Sequence, residues 1–167
     1  MINPNLHRTD SSIPNATRIQ KLLNNFRDDI LTPYMLPPSK LNANMYRGIS
    51  LPWDDPITAP LFDKATFIHK TWDEDGILSN GSEFFSGSRK FTLASFRDHS
   101  VTMNSVTRWR EAHPELAETE RDVIWELVEK LRDALGRSKE EDLDDIWMEA
   151  GMSTVVVLVK RTDVVAN

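Results

Sequence analysis

The sequence predicts a small α+β domain, and three observations carry that expectation. Two segments place apolar residues at helical spacing, a β-branched run lies near the C-terminus, and the stretches between them are broken by proline and glycine so that neither period continues. Residues 1–14 hold Pro4 and Pro14 among small polar side chains with no apolar period, which reads as an irregular N-terminal arm ahead of one domain over 15–167.

From Asn15 to Leu31 the residues Ile19, Leu22, Leu23, Phe26 and Ile30 recur at helical spacing, Asn15 or Thr17 supplies a cap, and Pro33 ends the pattern. Pro33, Pro37, Pro38, Pro52, Pro56 and Pro60 then remove so many N–H donors that the chain should be extended or turning, with a short strand at Met45–Ile49. Ala65–Trp72 reads equally as a short helix or a strand. Asp75-Gly76, Asn80-Gly81 and Ser86-Gly87 signal turns, and Lys90–Phe96 has the aromatic and threonine content of a strand. Val101–Ala112 is ambiguous and His113-Pro114 breaks it.

Val123, Ile124, Leu127, Val128, Leu131, Ala134 and Leu135 form a broad apolar stripe that stops at Gly136, the preferred residue just past a helix end. Ser138 and Glu141 have capping-box spacing, and Leu143, Ile146 and Trp147 offer a buried face, so a second, acidic helix is expected before Gly151. The run Val155–Val159 reads as a final buried strand. The layout is thus an N-terminal helix, short mixed strands with long loops, a C-terminal helical pair and a last strand.

Composition narrows the function classes. Twenty Lys and Arg against 26 Asp and Glu give a net charge of −6, which disfavours nucleic acid and anionic membranes as main partners. With no cysteine there is no disulfide, thiolate nucleophile or Cys-ligated metal, and the opening residues lack the basic and apolar regions of a secretion signal, so a cytoplasmic location is expected. The histidines His7, His69, His99 and His113 show no i,i+4 pair, so no metal site is expected. Asp73-Glu74-Asp75-Gly76 starts like a calcium loop, but position twelve is Phe84 where a closing glutamate belongs. His99 beside Asp98, with Ser95 or Ser100 as nucleophile, lacks the Gly-x-Ser-x-Gly elbow.

Two segments carry chemistry. In Met45-Tyr46-Arg47-Gly48-Ile49-Ser50 a guanidinium suited to gripping a phosphate through two parallel hydrogen bonds precedes a glycine where backbone can approach a ligand. Some forty residues on, Gly87-Ser88-Arg89-Lys90-Phe91-Thr92-Leu93-Ala94-Ser95-Phe96 is a small-residue turn leading into Phe-Thr-x-x-Ser-Phe. A Tyr-Arg-Gly strand after an amphipathic helix, followed by a glycine-containing loop and a hydroxyl-bearing strand, resembles the mono-ADP-ribosyltransferases of the Arg…Ser-Thr-Ser…Glu-x-Glu class, bacteriophage and bacterial-toxin members above all. The resemblance covers roughly residues 15–100.

The resemblance implies NAD as substrate, a protein acceptor, Arg47 on an NAD phosphate, Tyr46 and Gly48 shaping the floor, and Thr92 and Ser95 as supporting hydroxyls. Aligning on Phe91 puts Leu93 where the first serine belongs, whereas aligning on Thr92 leaves Ser95 one place out of step. The literal Glu-x-Glu, Glu118-Thr119-Glu120, makes Glu120 the candidate acid that stabilises the oxocarbenium-like state, yet it opens the long helix where the family has a strand. At a helix N-terminus those carboxylates also have a complete structural explanation. Thr154–Val159 corresponds either to the family strand before the Glu-x-Glu or to that strand itself, with Ser153 and Val155 in place of the acids; both versions imply weak or absent transferase activity.

The alternative is a non-enzymatic protein of phage or mobile-element type that binds a host protein through the Trp53 loop or the acidic segment Ser138–Ala150. Trp53 serves there as an anchor or else pins its loop to the core. Trp125 and Trp147, inside the expected helices, are read as core residues.

Overall fold

A computed structural model describes residues 6–9, 15–72 and 88–162, and these form a mixed α+β arrangement of five α-helices and short antiparallel strands in two small sheets. The turn signals at 75–76, 80–81 and 86–87 and the acidic run at 73–76 lie outside the described residues.

The N-terminal helix forms as its apolar period requires. Helix α1 spans Ala16–Asn25, continues as a wider π-turn over Phe26–Leu31, and ends in a 3-10 turn at Thr32–Tyr34 containing Pro33. Asn15 sits at its N-cap with φ 59°, and its amide donates to the Ala134 carbonyl at 2.9 Å instead of capping α1, which ties the start of α1 to the end of α5. Within the arm, Leu6–Thr9 forms strand β1 rather than irregular chain, because β4 offers it an antiparallel partner.

The proline-rich stretch is not wholly extended. Helix α2, Pro37–Ala43, begins on two prolines, which the first helical turn tolerates because its N–H groups have no partner there in any case. The strand expected at Met45–Ile49 is absent: residues 44–48 are the hook that ends α2. The Met45 N–H donates to the Asn42 carbonyl at 2.9 Å and the Tyr46 N–H to the Leu41 carbonyl at 2.8 Å, the two bonds of a Schellman motif. Strand β2, Phe62–Trp72, resolves the ambiguity at 65–72, and it pairs antiparallel with β5, Thr154–Arg161, in a two-stranded ribbon.

Strand β3 is shorter than expected, Ser88–Thr92, because helix α3, Leu93–Ser100, starts at once. The Thr92 Oγ1 accepts from the Ser95 N–H at 3.1 Å, and Leu93, Ala94 and Phe96 bury. Helix α4, Asn104–Ala112, fills the ambiguous stretch before His113-Pro114. Helix α5, Val123–Ala134, follows the apolar stripe and ends with Gly136 at φ 69°, its N–H bonded to Asp133 and that of Arg137 to Arg132, again a Schellman closure.

The acidic second helix of the expected pair does not form. Residues 138–146 are turns joined by irregular chain, held by local bonds such as the Glu141 Oε1 accepting from the Ser138 N–H at 2.9 Å and the Asp142 Oδ1 accepting from the Asp144 N–H at 3.0 Å. Side chains of this kind compete with the helical ladder for backbone donors. Strand β4, Trp147–Met152, follows and is the central strand of a three-stranded sheet ordered β1-β4-β3. The final strand β5 is half-buried rather than buried, with Leu158 exposed. Only Ser153 separates β4 from β5, so the chain leaves one sheet and enters the other across one residue.

The core lies between the helices and the inner face of the three-stranded sheet. It is built on Ile19, Leu23 and Phe26, on Leu93 and Phe96, on Val106 and Trp109, on Ile124, Leu127 and Leu131, and on Ile146 and Met148. Burial of these apolar side chains is the main driving force for the arrangement. No described helix is long and apolar enough to cross a membrane.

Candidate functional site

The residues singled out by the transferase resemblance fall on three separate pieces of structure. Tyr46, Arg47 and Gly48 share the turn after α2, not a strand end. Met45 and Tyr46 both adopt left-handed backbone, φ 52° and 57°, and Gly48 has φ 85°. Met45 stands where α5 uses Gly136, a costly choice for a residue with a Cβ, and its buried side chain holds it there. His69 on β2 donates its Nε2–H to the Met45 carbonyl at 2.8 Å, because a carbonyl only accepts. This bond fastens the turn to the inner face of the ribbon. Tyr46 is half-buried and Arg47 is solvent-facing.

Thr92 and Ser95 do meet, but as cap and first turn of α3. Ser95 is exposed on a helix, so the hydroxyl strand that the resemblance implies is replaced by a strand-to-helix junction. Phe91 and Phe96 stack across that junction with their ring centres 6.2 Å apart.

Glu120 is exposed in the connection between α4 and α5, ahead of the helix rather than inside its first turn. The residue that organises this connection is Asp122, which motif reading passes over. Asp122 is fully buried, with 0% exposure. Its Oδ1 accepts from the Ile124 N–H at 2.9 Å as the N-cap of α5, while its Oδ2 accepts from the Glu118 N–H at 2.9 Å and from Arg110 Nε at 2.7 Å. Burial by itself raises the pKa of this carboxyl, but the Arg110 hydrogen bond, the two backbone N–H groups and the Arg110 charge outweigh it and hold the carboxyl below its ordinary 3.8. The sequence signal was an aspartate immediately before the apolar stripe of α5, the usual N-cap position. With Glu118 at φ 61°, the Glu-x-Glu is part of a tightly bonded helix entry.

The tryptophans divide differently from expectation. Trp53 packs edge-on against Phe67 of β2 at 5.1 Å with the Lys64 ammonium 5.3 Å from its ring, so it pins its loop to the ribbon. Trp125 is half-buried beneath the Arg97 guanidinium at 5.1 Å. Trp147, expected in the core, is 59% exposed. The reason is the change of period: on a strand Ile146, Met148 and Ala150 turn inward together, and Trp147 and Glu149 must face outward. Trp147 lies in register with Thr92, and the Lys90 ammonium is 4.0 Å from the Glu149 carboxylate on the same outer face.

The exposed Glu140, Asp142, Asp144 and Asp145 lead directly into this strand. The arrangement places a large, outward-facing aromatic ring directly after an exposed acidic stretch. Among the described residues no group of three or more His, Asp or Glu is gathered as a metal site would require. Neither a protein-family model nor a curated protein matches the sequence.

Proposed function

We propose that the protein is a non-enzymatic interaction protein that engages a protein partner through the outer face of the three-stranded sheet, centred on Trp147. The observation that supports this reading most strongly is the 59% exposure of Trp147 on a central strand whose inward neighbours are fully packed. Tryptophan is enriched among the residues that dominate binding energy, and one held outward on a central strand is placed to act as such an anchor. The acidic turns at 140–145 give the partner a chemistry: an apolar pocket for the indole, rimmed by basic side chains.

The transferase reading draws its support from the sequence resemblance around Arg47, with Ser95 and Glu120 as the further candidates and NAD as substrate. One experiment separates the two. The purified chain and its Trp147→Ala variant are compared for retention of partners from host lysate, while both are titrated with NAD by calorimetry. Loss of a specific, stoichiometric partner in Trp147→Ala, with unchanged stability and no heat on adding NAD, is the expected result. NAD binding abolished by Arg47→Ala, together with transfer of a labelled ADP-ribosyl group to an acceptor, overturns this proposal in favour of the transferase.

A further inference from the structure

The two-stranded ribbon supports a separate inference, on a surface distinct from Trp147. Its two strands differ in how their outer edges are protected. β2 carries Asp63, Lys64 and Lys70, and its pairing is irregular between Asp63 and Ile68, where five steps along β2 match two along β5. Charges and register breaks of this kind discourage edge pairing. β5 carries no charge from Val155 to Val159 and pairs with β2 without interruption from Thr154 to Leu158, and among the described residues no strand lies along its other side. A long, regular, β-branched edge of this type is a template for another strand, and two strands alone are marginal as a sheet.

Side-chain placement in the ribbon sets which residues each of its faces presents. His69 and Phe67 of β2 face inward, toward the Met45 carbonyl and Trp53. Alternation then puts Ile68 with its register partner Leu158, and Lys70 with Val156, on the outward face. Ile68 is 50% and Leu158 56% exposed. We propose that β5 pairs antiparallel with β5 of a second copy of this chain, about a two-fold axis at Val157, to give a four-stranded sheet ordered β2-β5-β5-β2.

In that register each Val156 meets the Leu158 of the other copy and each Val155 meets its Val159. Lys160 falls opposite Thr154 rather than opposite a like charge, and within its own ribbon Lys160 is already in register with Asp63. The outward-facing apolar cluster of exposed Ile68 and Leu158 with half-buried Val156 becomes continuous with its symmetry mate, so the pairing adds both backbone bonds and cross-strand apolar contacts.

Sedimentation equilibrium on the full chain tests this, with Leu158→Lys and Leu158→Glu as variants at a position exposed enough to accept either charge. The two copies of residue 158 are diagonal neighbours across the axis. The intact chain is expected to sediment at twice its mass, each variant alone to lose at least tenfold in dimer affinity, and an equimolar mixture of the two to recover the dimer. A chain that stays monomeric at its highest soluble concentration overturns the proposal. So do variants that dimerise as well as the parent, or a mixture that does not recover.

Discussion

Asp122 is the residue on which most local structure depends. One carboxylate caps α5, closes the α4–α5 connection through Glu118 and neutralises Arg110, while being fully buried. Asp122→Asn leaves Arg110 facing an uncharged amide, and breaking a buried pair from one side typically costs about 3–5 kcal/mol. Urea denaturation at neutral pH should show a loss of that order. The pH dependence follows from the lowered pKa. A carboxyl depressed on folding contributes stability that is fully present above its unfolded value, near 3.8, and is lost as pH falls through the still lower folded value. The gap in stability between parent and variant should therefore be constant above about pH 5 and shrink below about pH 4, and a gap that widens in acid would contradict the assignment. Arg47 illustrates the opposite limit of residue reading. Its tripeptide suggested a strand end, but the left-handed Met45 and Tyr46 before it belong to a helix termination that no local propensity favours, since Met is a poor occupant of that backbone conformation.

At the scale of elements, α1 and α5 were legible because a 3.6-residue period over three turns is hard to satisfy any other way. Two elements were misread for identifiable reasons. Ser138, Glu141, Leu143, Ile146 and Trp147 satisfy helical spacing, yet the polar side chains of 138–145 bond to their own backbone, and Ile146, Met148 and Ala150 satisfy a period of two just as well. The choice went to the strand because β1 and β3 lie on either side to complete its ladder. Thr92-Leu93-Ala94-Ser95 likewise reads as strand by composition and becomes a helix start because Thr92 caps it. Thr92→Ala should lower stability by about 1 kcal/mol and Thr92→Ser should largely restore it, measured by thermal or chemical unfolding. Under the transferase reading, Thr92 is also a supporting hydroxyl, so a labelling assay on the same pair distinguishes a cap from a site.

Across the whole molecule, packing is unequal. Helices α1, α3, α4 and α5 share a core with β4, whereas the β2–β5 ribbon has no fully buried side chain and packs beyond itself mainly on the Trp53 turn. Local opening is easiest where apolar contacts are fewest. Amide exchange should therefore be slowest in α5 and β4 and faster in β2 and β5 by at least tenfold at low protein concentration, and protection rising selectively in β5 with concentration would follow from the proposed pairing. Helical spacing of the apolar residues, a β-branched run and the proline and glycine breaks between them sufficed to specify an α+β chain, its first and longest helices and the strand at its end. Which segments became the central strand, which tryptophan faced solvent and where the motif residues came to lie depended on partners distant in sequence. Helical and strand periods coincide over four or five residues, and only the neighbours that complete a ladder or bury a face distinguish them.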